Sequence, residues 1–318
     1  MSDFTTVFFD GLGIKFELPS VAFTLFGHDV KFYGLIIAFG FGLAVLYGGR
    51  GAWKWKMSLD GMTDVLIWGT IFGIICARLY YVAFEWDYYS AHLNEIPLIW
   101  NGGIAIYGGI IGALIGAAIG CKIGKIDFLN LLDLGALGLL IGQGIGRWGN
   151  FFNQEAFGSN TTTALFRMWS PKIRDTLAAS ADALASKGME VDPALPVHPT
   201  FLYESVWCLL SFLILHIVVT KFRSFKGEVF MLYGVLYGAE RMIVEGMRTD
   251  SLYIGSTSIR VSQLLSAVIV VVALSFFIYF MVRVKKNTLP ERMLPIIPAE
   301  RPKSEKKEKK KKNKENGE

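Results

Sequence analysis

Apolar residues along this chain gather into seven long runs separated by short polar segments. A run of about twenty apolar residues with few charges is long enough for a helix to cross the roughly 30 Å hydrocarbon core of a membrane. The pattern therefore predicts an all-α, polytopic integral membrane protein with seven transmembrane helices. The predicted spans are about Lys31–Arg50, Asp64–Phe84, Ile104–Cys121, Phe128–Gly146, Thr200–Thr220, Gly227–Ile243 and Ile259–Val284.

Composition agrees with a membrane protein, because 53% of the 318 residues are hydrophobic and only 19% are charged. The net charge of +5 comes from the C-terminal tail, where residues 283–318 hold thirteen Lys or Arg against six Glu. Since the rest of the chain is nearly neutral, we expect no nucleic-acid partner. The three cysteines show no metal-ligand spacing and are expected to be small buried residues.

Charges in the short loops predict the orientation of the spans. The loops at Arg50–Lys56, Lys122–Lys125 and Lys221–Lys226 are basic and fall on the same side as the Lys-rich tail if the chain crosses seven times. Basic loops stay in the cytoplasm, so the C-terminus is predicted to be cytoplasmic and the N-terminus outside. Three parts follow: an outer N-terminal surface segment (1–30), a seven-span transmembrane domain (31–284) with an outer insertion (159–197), and a disordered Lys-rich tail (285–318).

The outer insertion contains one predicted helix. Ser170-Pro171 is a typical helix start and Gly188 a typical stop. Four apolar residues between them recur on one helical face: Ile173, Leu177, Ala181 and Leu184. An amphipathic helix on the outer membrane surface and a solvated loop helix without function are both compatible with this pattern.

Glycine recurs every four residues in the third and fourth spans. The rows are Gly108, Gly112, Gly116 and Gly120, and then Gly138, Gly142 and Gly146. Small residues on one face let two helices approach closely in lipid. The rows therefore predict close packing of the third span against the fourth; a groove for lipid chains is the alternative.

A dense polar motif begins at the predicted end of the fourth span. It reads Gly146-Arg147-Trp148-Gly149-Asn150-Phe151-Phe152-Asn153-Gln154-Glu155-Ala156-Phe157-Gly158. An arginine at this depth is often only an interfacial anchor. The polar side chains of Asn150, Asn153 and Glu155 are costly near hydrocarbon and favour a functional site.

A second polar set lies in and just after the sixth span. Tyr237, Arg241, Glu245 and Arg248 share one helical face if the helix continues that far, and Glu240 lies beside them. The set is compatible with an internal ladder of ion pairs. It is also compatible with a guanidinium face that binds phosphate oxygens in two-pronged fashion.

Together these segments resemble the prolipoprotein diacylglyceryl transferase family. The family signature is Gly-Arg-x-Gly-Asn-Phe-x-Asn-x-Glu-x-x-Gly, and residues 146–158 fill every fixed position. Other family blocks are similar to the segments around Tyr33, His198–Glu204 and Arg241–Arg248, in the same order. The resemblance runs from Tyr33 to about Val284.

The resemblance implies an activity and two substrates. Members transfer the diacylglyceryl group of phosphatidylglycerol to the lipobox cysteine of a secreted preprolipoprotein, and glycerol phosphate leaves. This implies a multi-pass protein of the bacterial cytoplasmic membrane, with the active site toward the outer leaflet. No cofactor and no metal site are expected, since His198 has no second ligand at metal spacing.

The resemblance also implies roles for residues. Arg147 and Arg241 are the central pair, because negative charge grows on the leaving phosphate and a guanidinium can stabilise it. Arg248 is expected to be held by Glu245. Besides Arg147, the lipid-binding residues implied are Asn150, Gly158, Tyr33, Tyr107, Tyr237 and Arg248, and the supporting residues implied are Glu245, His198 and Asn153.

The removal of the thiol proton is left open by the sequence. A cysteine thiol with its usual pKa of about 8.5 is mostly protonated at neutral pH. Some family members have His-Gly-Gly where this chain has Tyr107-Gly108-Gly109, so a histidine base is not implied here. Glu155 as the base and direct stabilisation of the thiolate by the arginines are the two alternatives.

Two other classes of protein are compatible with buried arginines. A transporter or channel for an anionic solute would use Arg147 and Arg241 as its binding pair. Such proteins usually show internal repeats and a site at the membrane midplane, and the two halves of this sequence show no convincing repeat. A purely structural scaffold would leave the buried charges unexplained.

Overall fold

A computed structural model describes residues 4–254, 257 and 259–295. These residues form two compact units, one of residues 4–48 and 132–294 with those gaps and the other of residues 49–131. Within the described residues the helices are α1 (Phe32–Lys54), α2 (Leu59–Phe84), α3 (Trp86–Tyr89), α4 (Ile106–Ile123), α5 (Phe128–Asn153), α6 (Pro171–Ala185), α7 (Thr200–Ile217), α8 (Glu228–Met247) and α9 (Val261–Lys285). The strands are β1 (Phe4–Phe9), β2 (Ile14–Pro19), β3 (Val21–Leu25), β4 (His28–Lys31) and β5 (Met168–Trp169).

A helix lies at each of the seven predicted span positions, and six of them are long and apolar enough to cross a membrane. Those six are α1, α2, α4, α5, α7 with its continuation to Phe222, and α9. The exception is α8, whose 20 residues include Glu240, Arg241 and Glu245. The chain is thus mostly helical and has the helices of a multi-pass membrane protein.

The expectation of an all-α fold is wrong for the N-terminal segment. β1 pairs antiparallel with β2 and, at its other edge, with β5, while β3 and β4 form a separate hairpin. Val7 and Phe9 in β1 are two residues apart and both are buried, which is the period expected of a strand with one covered face. The apolar residues of this segment follow strand alternation, so they form a small sheet instead of a helix.

The insertion helix α6 was predicted from its capping signals, and its bounds are confirmed. Ser170 is the N-cap and its hydroxyl accepts a hydrogen bond from the Ile173 amide at 3.1 Å, with Pro171 in the first turn. Gly188, just beyond the helix, has a positive φ of +79°.

The buried face of α6 packs onto the N-terminal sheet and the helices beside it. Ile173 and Leu177 are fully buried there, in one cluster with Val7, Met168, Val197 and aromatic residues of α5 and α7. Burying each such side chain contributes roughly 1.5–3 kcal/mol. This cluster ties the insertion to the ends of α5 and α7.

The predicted packing of the two glycine rows on each other is wrong. The row on α4 packs against α2, since a Cβ at Gly112 or Gly116 would lie 2.2 Å or 2.1 Å from a backbone oxygen of α2. The row on α5 instead lies toward α1, where a Cβ at Gly146 would meet Ile37 at 3.1 Å. Small residues predict that a helix has a close neighbour, but they do not identify it.

Described residues of the predicted tail begin with the end of α9. A short 3₁₀ turn at Glu291–Met293 follows, and the Met293 carbonyl accepts a hydrogen bond from the Lys226 amide at 2.9 Å. The predicted disorder of residues 296–318 concerns a stretch outside the described residues.

Candidate active site

The polar motif of residues 146–158 spans the end of a helix and the loop after it. α5 continues to Asn153, so Arg147 and Asn150 lie in its last two turns, further inside the helix than the predicted span end at Gly146. The loop begins with Gln154 at φ +50° and Ala156 at φ +56°. These left-handed conformations are uncommon for residues with a side chain, and they flank Glu155, whose side chain is exposed.

Contacts from neighbouring segments hold this loop in place. The buried Gln154 side chain accepts a hydrogen bond from the Ser170 hydroxyl at 2.6 Å, and the Thr200 hydroxyl donates to the Ala156 carbonyl. At the end of the loop the Gly158 amide donates to the His198 carbonyl at 2.9 Å. Any other residue at Gly158 would place its Cβ 2.8 Å from that of His198, so only glycine fits this approach.

Three arginines converge on one buried glutamate. Glu204, on the first turns of α7, has a side chain that is 1% exposed. Its Oε2 pairs with Arg147 Nη2 and lies 3.2 Å from Arg241 Nη1, while its Oε1 lies 3.5 Å from Arg248 Nη1. Residues from three helix ends thus form one charge cluster, which we call the arginine cluster: Arg147, Glu204, Arg241, Glu245, Arg248 and Asp250.

The remaining two acids of the cluster each hold one arginine. Arg241 Nη2 pairs with Glu245 Oε2 one turn along α8. Arg248, directly after α8, forms a two-pronged pair with Asp250, with distances of 2.9 Å and 2.7 Å. The prediction that Glu245 holds the Arg248 guanidinium is therefore wrong: the turn after Met247 directs that guanidinium to Asp250.

The Arg248–Asp250 pair is electrostatically well matched. Burial works to lower the pKa of Arg248, but the Asp250 carboxylate and nearby glutamates outweigh it and raise that pKa above its usual value. Burial likewise works to raise the pKa of Asp250, but the hydrogen bond and charge of Arg248 lower it below its usual value. Both groups are therefore charged at neutral pH.

A polar relay connects the cluster to the exposed carboxylate of the motif. Arg147 Nη1 lies 3.5 Å from Asn150 Oδ1, and Asn150 Nδ2 donates to Glu155 Oε1 at 2.8 Å. The Glu155 amide also donates to the Asn150 carbonyl at 3.1 Å. Three residues predicted from the motif, Arg147, Asn150 and Glu155, are brought together in this way.

The predicted tyrosines lie on different elements. Tyr33, partly exposed on the first turn of α1, packs its ring against Gly149, where a Cβ would lie 2.8 Å from a ring carbon. Tyr237 stacks on Tyr233 one turn away on α8, with ring centroids 5.5 Å apart. Tyr107 is the second residue of α4, in the unit of residues 49–131, and is half-buried.

The two predicted supporting residues outside α8 differ in their contacts. His198 is half-buried, and its Nδ1 lies 3.2 Å from the Tyr203 hydroxyl. Burial lowers the pKa of His198, so the ring is neutral at pH 7. Asn153 is the last residue of α5, and among the described residues its side chain has no bond to the arginine cluster.

Glu204 and Asp250 are the site residues that the sequence analysis missed. Glu204 lies in an otherwise apolar run, and a lone acid in such a run needs a buried cation nearby. That signal was present, but it does not identify the cation. The structure supplies three cations, of which Arg147 comes from a different helix, far earlier in the chain.

The arrangement is suited to binding a phosphate at the end of the helices. Each guanidinium presents five N–H donors in a planar fork, more than the carboxylates of the cluster occupy. Arginines that are already fixed by ion pairs stabilise an incoming anion without reorganising. Chemically, the site can hold a phosphate diester and stabilise charge that develops on it.

Comparison with known proteins identifies the family. The family model of the prolipoprotein diacylglyceryl transferases matches residues 20–279. A phosphatidylglycerol–prolipoprotein diacylglyceryl transferase of Listeria innocua serovar 6a is 44% identical over 278 residues, which are 87% of this chain and 94% of the relative. The enzyme of the same name from Lysinibacillus sphaericus is 41% identical over 269 residues (85% and 94%), and that from Acaryochloris marina is 40% identical over 240 residues (75% and 82%). The chain therefore belongs to the prolipoprotein diacylglyceryl transferase family.

Proposed function

We propose that this protein transfers the diacylglyceryl group of phosphatidylglycerol to the lipobox cysteine of a preprolipoprotein. The single observation that carries the proposal is the convergence of Arg147, Arg241 and Arg248 on Glu204. Three guanidiniums at one point match the phosphate of an anionic lipid. The names of the relatives supply the two substrate classes.

The reaction is a displacement at carbon. The cysteine sulfur forms a bond to C3 of the diacylglyceryl group, and the bond between that carbon and the phosphate oxygen breaks. The bonding electrons leave with the oxygen, so the phosphodiester becomes the phosphomonoester of glycerol phosphate. The thiol proton balances the charge gained by this leaving group.

Arg147 and Arg241 stabilise the leaving phosphate. Both side chains are largely buried, at 19% and 14% exposure, so their charges act in a medium of low dielectric constant. The carboxylates of Glu204 and Glu245 orient them before the lipid binds. Arg248, fixed by Asp250, adds a third cation from the end of α8.

Two groups can promote loss of the thiol proton. Glu155 is exposed and its carboxylate is oriented by Asn150, which makes it a candidate acceptor. Alternatively, the positive field of the arginines lowers the pKa of the incoming thiol directly. Tyr33, Tyr107 and Tyr237 serve as hydrogen-bonding or packing residues for the lipid, Gly158 and Asn150 shape the loop, and His198 and Asn153 support it.

The proposal includes a membrane orientation. Seven helices, with α8 as the seventh, cross the bacterial cytoplasmic membrane, the N-terminus lies outside and the Lys-rich tail lies in the cytoplasm. The basic loops of the sequence support this orientation. The arginine cluster then faces the outer leaflet, where a secreted preprolipoprotein presents its cysteine.

The test is transfer by the purified full-length protein. Labelled phosphatidylglycerol and a lipobox peptide are supplied in detergent or nanodiscs, with a Cys→Ser peptide as the control, and released glycerol phosphate is assayed alongside. We expect lipidated peptide and glycerol phosphate in equal amounts, with the cysteine peptide only. Folded protein that forms neither product would contradict the proposal.

A further inference from the structure

A second glutamate beside the arginine cluster has no hydrogen-bond partner among the residues that the structure describes. Glu240 precedes Arg241 on α8, and its side chain is only 3% exposed. Within the described part of the chain, neither of its carboxyl oxygens has a hydrogen-bond partner, and both are shielded from solvent. Such an arrangement is costly and uncommon, because a buried polar group normally finds a donor.

Glu240 belongs to the neighbourhood of the arginine cluster. The charged groups within its electrostatic reach are Glu204 on α7, Arg147 on α5, Arg241 on its own helix and Arg248 after that helix. The hydroxyl of Tyr233 and the thiol of Cys208 are also within reach of its charge. None of the guanidiniums is near enough to form an ion pair with it, since their partners are the cluster acids.

Gln143 provides another buried acceptor in the same region. It lies one helical turn before Arg147 on α5, and its amide nitrogen donates to the Tyr233 hydroxyl at 3.0 Å. Its Oε1 is buried and has no partner among the described residues. Tyr233 thus bonds to Gln143 and lies within electrostatic reach of Glu240, and the positions without a partner on Gln143 and Glu240 are oxygen acceptors.

We propose that Glu240 and Gln143 form a subsite for the terminal glycerol hydroxyls of the donor lipid. The inference rests on the proposed function. The arginines supply donors that match the phosphate. Glu240 and Gln143 supply acceptors that match the two free hydroxyl groups of the glycerol esterified to that phosphate. Glu240 is thus a residue that determines headgroup specificity.

A purely structural acid on the same helix looks different. Glu228, at the first residue of α8, is also buried, but its Oε2 accepts hydrogen bonds from the backbone amides of Ser224 and Phe225. It closes the turn that enters the helix. Glu228 therefore serves as the matched control: a buried glutamate of α8 whose partners belong to the protein.

The experiment compares two donor lipids. Purified full-length protein receives either phosphatidylglycerol or phosphatidylpropanol, whose headgroup has the same three-carbon chain without hydroxyls, and kcat/KM is measured with one lipobox peptide. We expect the wild type to prefer phosphatidylglycerol by roughly 10- to 100-fold, since a site that bonds a hydroxyl rejects the analogue that lacks it.

Variants at Glu240 and Gln143 test their roles in the subsite, with Glu228 as the control. Glu240→Met should reduce the preference to near unity, Glu240→Gln should retain part of it, and Glu228→Gln should leave it unchanged. Gln143→Met should weaken it too, which keeps the test available if Glu240→Met does not fold. A general loss of packing would lower turnover of both lipids and leave their ratio as it is.

The outcomes separate this inference from the proposed function. Equal turnover of the two lipids by the wild type, or a full preference retained in Glu240→Met, would overturn the subsite while transfer itself stands. Absence of transfer from both lipids in folded wild type would refute the proposed function, and the subsite with it.

Discussion

Arginine is used in two different ways in the two units of this molecule. In the unit of residues 49–131, Arg78 on α2 is 6% exposed and binds backbone carbonyls. In the unit of residues 4–48 and 132–294, the arginines of the cluster bind carboxylates. Both arrangements give a buried guanidinium hydrogen-bond partners, but they differ in how many of its N–H donors remain available.

Arg78 donates hydrogen bonds to backbone carbonyls of the loop that follows α3. Its Nε and both Nη atoms donate to the carbonyls of Glu95, Ile96, Gly102 and Gly103 at 2.7–2.8 Å. The guanidinium also lies over the Tyr89 ring, 5.1 Å from its centroid. Four of its five N–H donors are thus used to fold the segment between α3 and α4.

The cluster differs because several guanidiniums share few carboxylates. Glu204 alone pairs with Arg147 and Arg241 and lies 3.5 Å from Arg248. Each of these arginines retains donors that a second anion can use. The partners of a buried arginine, more than its depth, therefore decide how many of its N–H donors are left for an incoming anion.

The largest expected effect comes from removing the shared acid. Glu204→Ala removes the carboxylate that Arg147, Arg241 and Arg248 share, while Glu245 and Asp250 remain. Breaking a buried ion pair in this way costs about 3–5 kcal/mol. We expect a much lower thermal unfolding temperature in detergent. Glu204→Gln keeps the shape and should lose less; an Ala variant as stable as wild type would show that Glu204 does not organise the cluster.

Removing one ligand-facing arginine should affect activity more than folding. Arg147→Ala and Arg241→Ala are each expected to lower the transfer rate by about 10²–10³-fold, the effect of losing one preorganised donor at a developing charge. Lysine at either position should restore little, because it lacks the planar fork. Arg174→Ala, at an exposed ion pair on α6, is the control and should transfer normally. Near-normal activity in either cluster variant would remove that arginine from the mechanism.

The opposite result is expected at Arg78. Arg78→Ala leaves carbonyls of the loop without a donor, which should lower the free energy of unfolding by about 1–3 kcal/mol. Hydrogen exchange and limited proteolysis should show faster opening of residues 85–103, and Arg78→Lys should restore part of the protection. The rate per folded molecule should change less than in the cluster variants. A loss of rate with an intact loop would assign Arg78 to the chemistry.

The smallest effect concerns pH. Burial lowers the pKa of His198 below its ordinary value of 6.5. As the pH falls, the imidazole therefore takes up a proton at a higher pH in the unfolded chain than in the folded protein. The stabilisation from the neutral ring is therefore present above pH 6.5 and is lost as pH falls from there to the folded pKa. Unfolding temperatures measured from pH 7.5 to 5 should fall less steeply in His198→Gln. Identical slopes would mean that His198 does not titrate differently on folding.

Local signals explain most of what the sequence predicted correctly. The bounds of α6 follow from Ser170-Pro171 and Gly188, because capping depends on residues adjacent in the chain. The positions of the helices follow from the apolar runs. The motif of residues 146–158 placed Arg147, Asn150 and Glu155 together, since a helix end and its loop are also local.

Errors arose where a residue had several possible partners. The α4 glycine row faced α2 and not the next helix along the chain, and Arg248 paired with Asp250 instead of Glu245. The N-terminal strands were also missed, although β1–β2 and β3–β4 are neighbours in the chain; only the pairing of β1 with β5 joins residues more than 150 positions apart. Such partners differ little in local sequence pattern.

The sequence alone indicated a mostly helical membrane protein, the polar residues that are candidates for its site, and the family it resembles. These properties follow from hydrophobic length, helical period and a contiguous motif. The tertiary structure was needed to show that Glu204 joins three arginines, that Arg78 binds carbonyls and that Glu240 has no hydrogen-bond partner among the described residues. The reason is physical: ion pairs and hydrogen bonds depend on distances of a few ångströms between side chains, and packing of separate helices sets those distances.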